Sequence, residues 1–330
     1  MRYVFFLLLF CTAQLISKGV NPLRDWKKGE YVILNPTKRK PARTAVLIIA
    51  PPRLGDAYVE CRWKVGKKVW EQYMNAVPNV DCYFLQSTYP REGCLEQVWI
   101  EGNTIYVGDW WYEKHGEDRI LHKTILAIEK LLPNYTHFIR TNLNTFINLK
   151  TVNEYMETHH QSMYTAFLWE NQWYTIGFGI LFTADVAAHI VDEYRRLEGL
   201  DIVNCYQADD ALLTSLATGI YPRNHFEHVF HCCSMLPLGV RQLIWIDSLF
   251  TMRSSQYGMR LLPPISLRKA IEYCKKASAT TMLYRIREGF DLDELAELYE
   301  YLLHKIYPEL SCANLVEYAV SLPTTREPRR

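Results

Sequence analysis

The run from Thr44 to Ala50 (TAVLIIA) is continuously apolar and is stopped by Pro51-Pro52. It has no polar alternation, so it cannot be a strand with one wet face. It is also too short for a typical helix. A run of this kind suits a strand buried on both faces, as in a parallel sheet covered by helices. That constrains the neighbouring elements, because parallel strands need crossover connections. The next segments supply them. Tyr58 to Ala76 has helical spacing, Val80 to Gln86 reads as a strand, and Asn103 to Val107 as a third, ended by Gly108-Asp109. From Gly116 to Leu132, Ile120, Leu121, Ile125, Ile128, Leu131 and Leu132 recur at helical spacing. Pro133 ends that helix, and Thr136 to Thr141 is the next strand. Alternating strands and helices argue a doubly wound α/β sheet.

The second half continues less regularly. Leu149 to His159 reads as a helix, and Met163 to Trp169 and Phe178 to Thr183 as strands. Ala184 to Leu197 and Asp209 to Thr218 read as helices. Beyond Gly219, Pro237, Pro263 and Pro264 break up an irregular region; Thr280 to Arg287 is a plausible strand. Asp291 to Ile306 is an amphipathic helix with Asp291 as its cap. This divides the chain into a catalytic-type domain, 44–235, and a mostly helical C-terminal extension, 236–330.

Ahead of them, Met1-Arg2-Tyr3 precedes an apolar run from Val4 to Ile16. A basic start and a run of that length read as a signal peptide or signal anchor, 1–17. A buried first strand is the alternative. Residues 18–43, with Pro22, Pro36 and Pro41, read as a stem. The leader implies the secretory pathway, at a Golgi or ER membrane facing the lumen, or else secretion. Asn134-Tyr135-Thr136 is a glycosylation sequon. The nine Cys include no CxxC pair, which argues against zinc. With 37 basic and 36 acidic side chains, nothing favours a nucleic-acid partner.

Ligands of open α/β sheets bind at the carboxyl ends of strands. The stretch from His137 to Leu149 (HFIRTNLNTFINL) reads as a strand, a polar turn and a helix. That makes Arg140 to Thr145 a candidate site. Asn142 and Asn144 can donate hydrogen bonds to a ligand, or can simply be turn and helix-start residues. In Tyr174 to Thr183 (YTIGFGILFT), Gly177 and Gly179 would let the backbone approach a ligand closely. Asp209 and Asp210 stand at a helix start, as caps or as a catalytic base. Arg285 and Arg287 share one strand face, where they either meet phosphate or are solvated.

In this order the pieces resemble the inverting beta-1,3-glycosyltransferases, the galactosyltransferase, N-acetylglucosaminyltransferase and fringe group with a GT-A fold. Those proteins carry Lys-Thr-Asp-Asp-Asp-x-Phe-x-Asn after a strand, then Tyr-x-x-Gly-x-Gly-x-x-x-Ser, then Glu-Asp or Asp-Asp before a helix. Here the first reads Arg140-Thr141-Asn142-Leu143-Asn144-Thr145-Phe146-Ile147-Asn148. The second is Tyr174, Gly177, Gly179 and Thr183, and the third Asp209-Asp210. Lys123-Thr124 is similar to that family's Leu-Lys-Thr, and Arg62, Lys67 and Trp70 stand where the family has Arg, Arg and Trp. The acid triplet is replaced throughout, as in a divergent branch of viral, algal and bacterial relatives.

The resemblance implies a GT-A-like fold, with a mostly parallel central sheet flanked by helices. It implies a hexosyltransferase that moves a sugar, with inversion, from a nucleotide-sugar donor, a UDP-sugar first, to a hydroxyl of a glycan or glycoprotein. Asp209 or Asp210 would be the base. Arg62, Lys67, Arg140, Asn142, Asn144, Gly177, Gly179, Arg285 and Arg287 would hold the donor. A divalent metal, Mn or Mg, is in question without the acids; His228 and His231 are candidates to hold one. The competing reading is a non-catalytic glycan- or nucleotide-binding protein on the same fold.

Overall fold

The computed structural model describes residues 41–50, 57–89, 97–108, 119–158, 160, 163–168, 175–198, 209–218, 245–246, 258–262, 266–277, 281–286, 290–310 and 314–322. In chain order these form β1 (Thr44–Ile49), α1 (Ala57–Tyr73), β2 (Val80–Thr88), β3 (Val98–Glu101), β4 (Thr104–Gly108) and α2 (Ile120–Leu131). There follow β5 (His137–Asn142), β6 (Thr145–Ile147), α3 (Leu149–Met156), β7 (Met163–Leu168), β8 (Thr175–Thr183) and α4 (Ala184–Glu198). The remainder is α5 (Asp209–Thr218), β9 (Trp245–Ile246), β10 (Gly258–Leu262), α6 (Leu267–Lys276), β11 (Thr281–Ile286), α7 (Leu292–Ile306) and α8 (Leu315–Ser321).

The architecture is α/β, a central sheet flanked by helices. Its eight strands run in the order β3-β4-β2-β1-β5-β8-β7-β9. The apolar run that opens the fold is β1, in the middle, parallel to β2 on one side and to β5 on the other. Its residues alternate between two cores. Val46 and Ile48 join a cluster with α1, α3 and the C-terminal helices. Ala45, Leu47 and Ile49 join one with α2, α4 and α5. Full burial of each large aliphatic side chain contributes roughly 1.5–3 kcal/mol, which is why both faces carry helices. The sheet is mixed: β2 and β4 pair in parallel, whereas β3–β4, β5–β8 and β7–β8 are antiparallel.

A second, three-stranded sheet has the order β10-β11-β6. Its third strand lies between the polar turn and the helix, where the sequence reading places no element. The chain leaves the central sheet at Asn142 and enters the small sheet at Thr145, pairing antiparallel with β11. The helix begins at Leu149, as the spacing predicts, behind Asn148, whose Oδ1 accepts from the Thr151 amide at 3.2 Å. Likewise β3, β10, α6 and α8 are elements that patterning does not isolate. The predicted helix at 291–306 is present as α7 behind a capping box, with the Asp291 amide donating to Glu294 Oε2 at 3.2 Å.

The C-terminal helices share the core of the central sheet. Leu295, Leu298, Leu302 and Leu303 pack in the same cluster as Val46 and Ile139. Tyr307 stacks on Tyr73 at 5.2 Å between ring centroids. Its hydroxyl accepts from the Leu149 amide at 2.7 Å and reaches the Ile147 carbonyl at 3.3 Å. Among the described residues no helix is long and apolar enough to cross a membrane. The predicted leader, 1–17, and nearly all of the stem lie outside the described residues.

Candidate functional site

Each part of the candidate site is set by strand parity. Along β5, Ile139 faces the α1 side of the sheet and Phe138 the α2 side. Arg140 and Asn142 therefore share the face of Phe138, because side chains repeat every second residue. Leu143, just past the strand, turns back to the α1 side. It is buried, and α1 forms its seat. Trp70 Nε1 donates to the Leu143 carbonyl at 3.2 Å. A Cβ at Gly66 would lie 3.2 Å from Leu143 Cγ and 3.3 Å from its carbonyl oxygen, closer than most side chains tolerate. The middle position of the Asn-Leu-Asn turn is thus a core position. A carboxylate there would be buried with no partner, at high cost.

The flanking amides are placed differently. Asn142 ends β5 half-buried. The Asn144 carbonyl accepts from the Ile286 amide at 3.1 Å, so β11 runs directly beside the turn. The Asn144 Oδ1 atom is buried and has no hydrogen-bond partner among the described residues. Arg285 pairs through its backbone with Thr145, in the same small sheet.

Two further elements reach this edge. Strand β8 pairs with β5 as far as Arg140 opposite Ile180. On its other side β7 shifts register, with Ala166 opposite Ile180 and Phe167 opposite Ile176. The three residues between, Gly177, Phe178 and Gly179, form a bulge bracketed by the two glycines. Bulges of this kind are common next to active sites. The first residue of α5 then meets the strand end: Arg140, 2% exposed, is ion-paired through its guanidinium with Asp209. One residue on, the Asp210 carbonyl accepts from Thr214 Oγ1 at 2.8 Å.

The other sequence candidates have separate places. Lys123 is fully buried on α2, and its Nζ lies 3.4 Å from the carbonyl of Ala50, just past the end of β1. Arg62 Nη1 donates to the Phe290 carbonyl at 2.6 Å, joining α1 to the C-terminal segment. Lys67 lies 3.9 Å from Glu71 and over the rings of Trp63 and Phe84, at 5.5 and 5.3 Å. Arg287, His228 and His231 lie outside the described residues. Gly66 is not singled out by sequence reasoning, although a glycine inside a helix already signals close approach of another chain segment. A surface depression of about 460 Å³, lined by Leu267, Ile271, Lys275 and Glu297 among others, lies on α6 and α7 and not at this edge.

Among the described residues, the Asn turn offers no carboxylate to the metal that the resemblance implies. Two positions of the turn carry neutral amides, and the third faces the core. Among the described residues no three His, Cys, Asp or Glu converge to hold an ion. What remains is a set of amides, a buried guanidinium and two carboxylates, which can orient a polar ligand and accept a proton.

No family model matches the chain. No curated protein matches it. Among solved structures, it is similar to a glycosyltransferase involved in the glycosylation of the major capsid of PBCV-1, at 14% identity and a TM-score of 0.37, covering 78% of this chain and 98% of that one. It is also similar to the galactosyltransferase LgtC, solved with donor and acceptor sugar analogues, at 11% identity and a TM-score of 0.38, covering 86% and 98%. At scores this low neither likeness bears on activity, which has to be read from this chain's own residues.

Proposed function

We propose that the chain is an inverting glycosyltransferase that uses a nucleotide sugar, a UDP-sugar first, and a hydroxyl of a glycan or glycoprotein as acceptor. The observation that carries this reading is the Arg140–Asp209 pair, which sets an acid pair at the end of the strand that leads into the Asn turn. Asp209 or Asp210 takes the proton from the acceptor hydroxyl. The freed oxygen attacks the anomeric carbon, and the nucleoside diphosphate leaves from the opposite face. Base assistance of this kind contributes roughly 100- to 10,000-fold. Asn142, Asn144 and the glycine bulge of β8 orient the donor. Arg285 and Arg287 offset the charge of the diphosphate. The leader would place this chemistry in the lumen of the secretory pathway.

The test is release of UDP from UDP-glucose and UDP-galactose by the purified protein, with and without manganese or chelator. Turnover that survives chelator supports the reading. Binding of UDP without any turnover would instead favour a non-catalytic binding protein. Loss of turnover in chelator would show that residues other than the turn hold a metal.

A further inference from the structure

The glycosylation sequon is a motif that the candidate site leaves unused. Asn134-Tyr135-Thr136 is the only usable one in the sequence, since Asn35-Pro36-Thr37 is blocked by its proline. Asn134 closes a short 3-10 turn, Leu132–Asn134, between α2 and β5, and is exposed. The two residues after it are held by the fold. Tyr135 is 6% exposed; its hydroxyl donates to Asp81 Oδ2 at 2.8 Å and lies 2.7 Å from that of Tyr83. The Thr136 hydroxyl accepts from the Arg43 amide at 2.9 Å and lies 2.8 Å from His137 Nδ1. The Thr136 carbonyl accepts from the Ala184 amide at 2.9 Å, at the start of α4. The acceptor asparagine is thus open to solvent, while the hydroxyl that completes the motif is tied to the chain just ahead of β1.

We propose that Asn134 carries an N-linked glycan, attached before the central sheet closes, at the end of the sheet opposite the candidate site. The transfer forms a bond between Asn134 Nδ2 and the anomeric carbon of an oligosaccharide carried on a lipid diphosphate in the lumen. The bond from that carbon to the diphosphate oxygen breaks, the lipid diphosphate leaves, and the amide gives up one proton. A transferase that reads the Thr136 hydroxyl needs it free. It is free only while β1 and β5 are apart, because Arg43 leads into β1 and Thr136 into β5. The folded protein then carries the glycan on an exposed residue, with no packing to displace. Along β5, His137 and Asn142 are the two ends of the strand. At about 3.3 Å per residue the glycan stands more than roughly 16 Å from the Asn turn. The proposal rests on entry into the secretory pathway and not on the glycosyltransferase reading.

The experiment expresses the full chain, with its own leader, in a eukaryotic secretory cell and digests the product with peptide N-glycosidase. The expected result is a single downward step in apparent mass, with the amide of residue 134 converted to an acid in the peptide mass spectrum. Thr136→Ser should keep the step, and Asn134→Gln should lose it. Because Asn134 is exposed, Asn134→Gln should fold with the Tm of the enzymatically deglycosylated wild type. Unmodified chain recovered from the lumen or the medium would overturn the site. Unmodified chain left in the cytosol would overturn the secretory entry on which it rests. A step that persists in Asn134→Gln would overturn the assignment. The order of events is read on unmodified chain made in bacteria and given to solubilised oligosaccharyltransferase with its lipid-linked donor. Chain freshly diluted from urea should be modified and folded chain should not. Equal modification of the two would overturn attachment before folding.

Discussion

Leu143 shows how one position settles the chemistry of a turn. Its neighbour Asn142, half-buried at the end of β5, could be a carboxylate and still reach water or a ligand. Leu143 could not, because its side chain packs against Gly66 and its carbonyl is held by Trp70. Leu143→Asp should lower stability by roughly 3–5 kcal/mol, the cost of a buried charge left unpaired. Urea unfolding checks this, and a variant as stable as wild type would place the side chain in solvent. Gly66→Ala separates two effects. An alanine inside a helix is worth up to about 1 kcal/mol over glycine. Here the added Cβ meets a backbone oxygen at 3.3 Å, which cannot rotate away. Overpacking costs about 1–3 kcal/mol, so the variant should be less stable despite its better propensity. A rise in Tm would show that the turn yields.

Among elements, β6 is the least visible in the sequence. Its three residues have no periodicity to read, and the strand that completes it comes more than a hundred residues later, as Thr145 pairs with Arg285. By contrast β1 announces itself, because burial on both faces writes an unbroken apolar run. Helix α6 carries Leu267, Ala270, Ile271 and Cys274 at helical spacing, yet the prolines just before it suggest irregular chain. The candidate site divides in the same way. The turn, the two glycines and the acid pair are legible as local residue types. The pairing of Arg140 with Asp209 is not, because the partners are 69 residues apart and only topology joins them. Two hydroxyls meet the end of β6: that of Tyr73 accepts from the Ile147 amide at 3.2 Å, and that of Tyr307 from the Leu149 amide at 2.7 Å. Tyr307→Phe keeps the ring stack but deprives the buried Leu149 amide of its acceptor. A loss of about 1–3 kcal/mol is expected, with faster hydrogen exchange at Leu149. Unchanged exchange there would mean that another group takes over.

For the molecule as a whole, buried acidic side chains set the alkaline limit. Burial pushes the Cys274 thiol from its ordinary 9.0 up to about 11, with Lys305 opposing. Burial likewise raises Cys82, Tyr73 and Tyr307. Each group is held neutral by the fold and ionises more readily once unfolded. The Cys274 contribution is therefore complete below about pH 9 and is lost as pH rises towards 11. Urea midpoints should fall over that window, and less so in Cys274→Ala. Alkylation at pH 8 should leave the Cys82 and Cys274 peptides unlabelled until denaturant is added; labelling of the native protein would contradict their burial.

The three-stranded sheet also dictates when the protein is finished. Domains generally fold as they leave the ribosome, from the N-terminal end. Here β6 must wait for β10 and β11, and Leu149 for Tyr307. The edge that carries the Asn turn consequently stays unformed until the last part of the message has been translated. A chain cut short by a late stop codon would present that edge incomplete, and quality control would meet it as an unfinished protein, with no active fragment left behind.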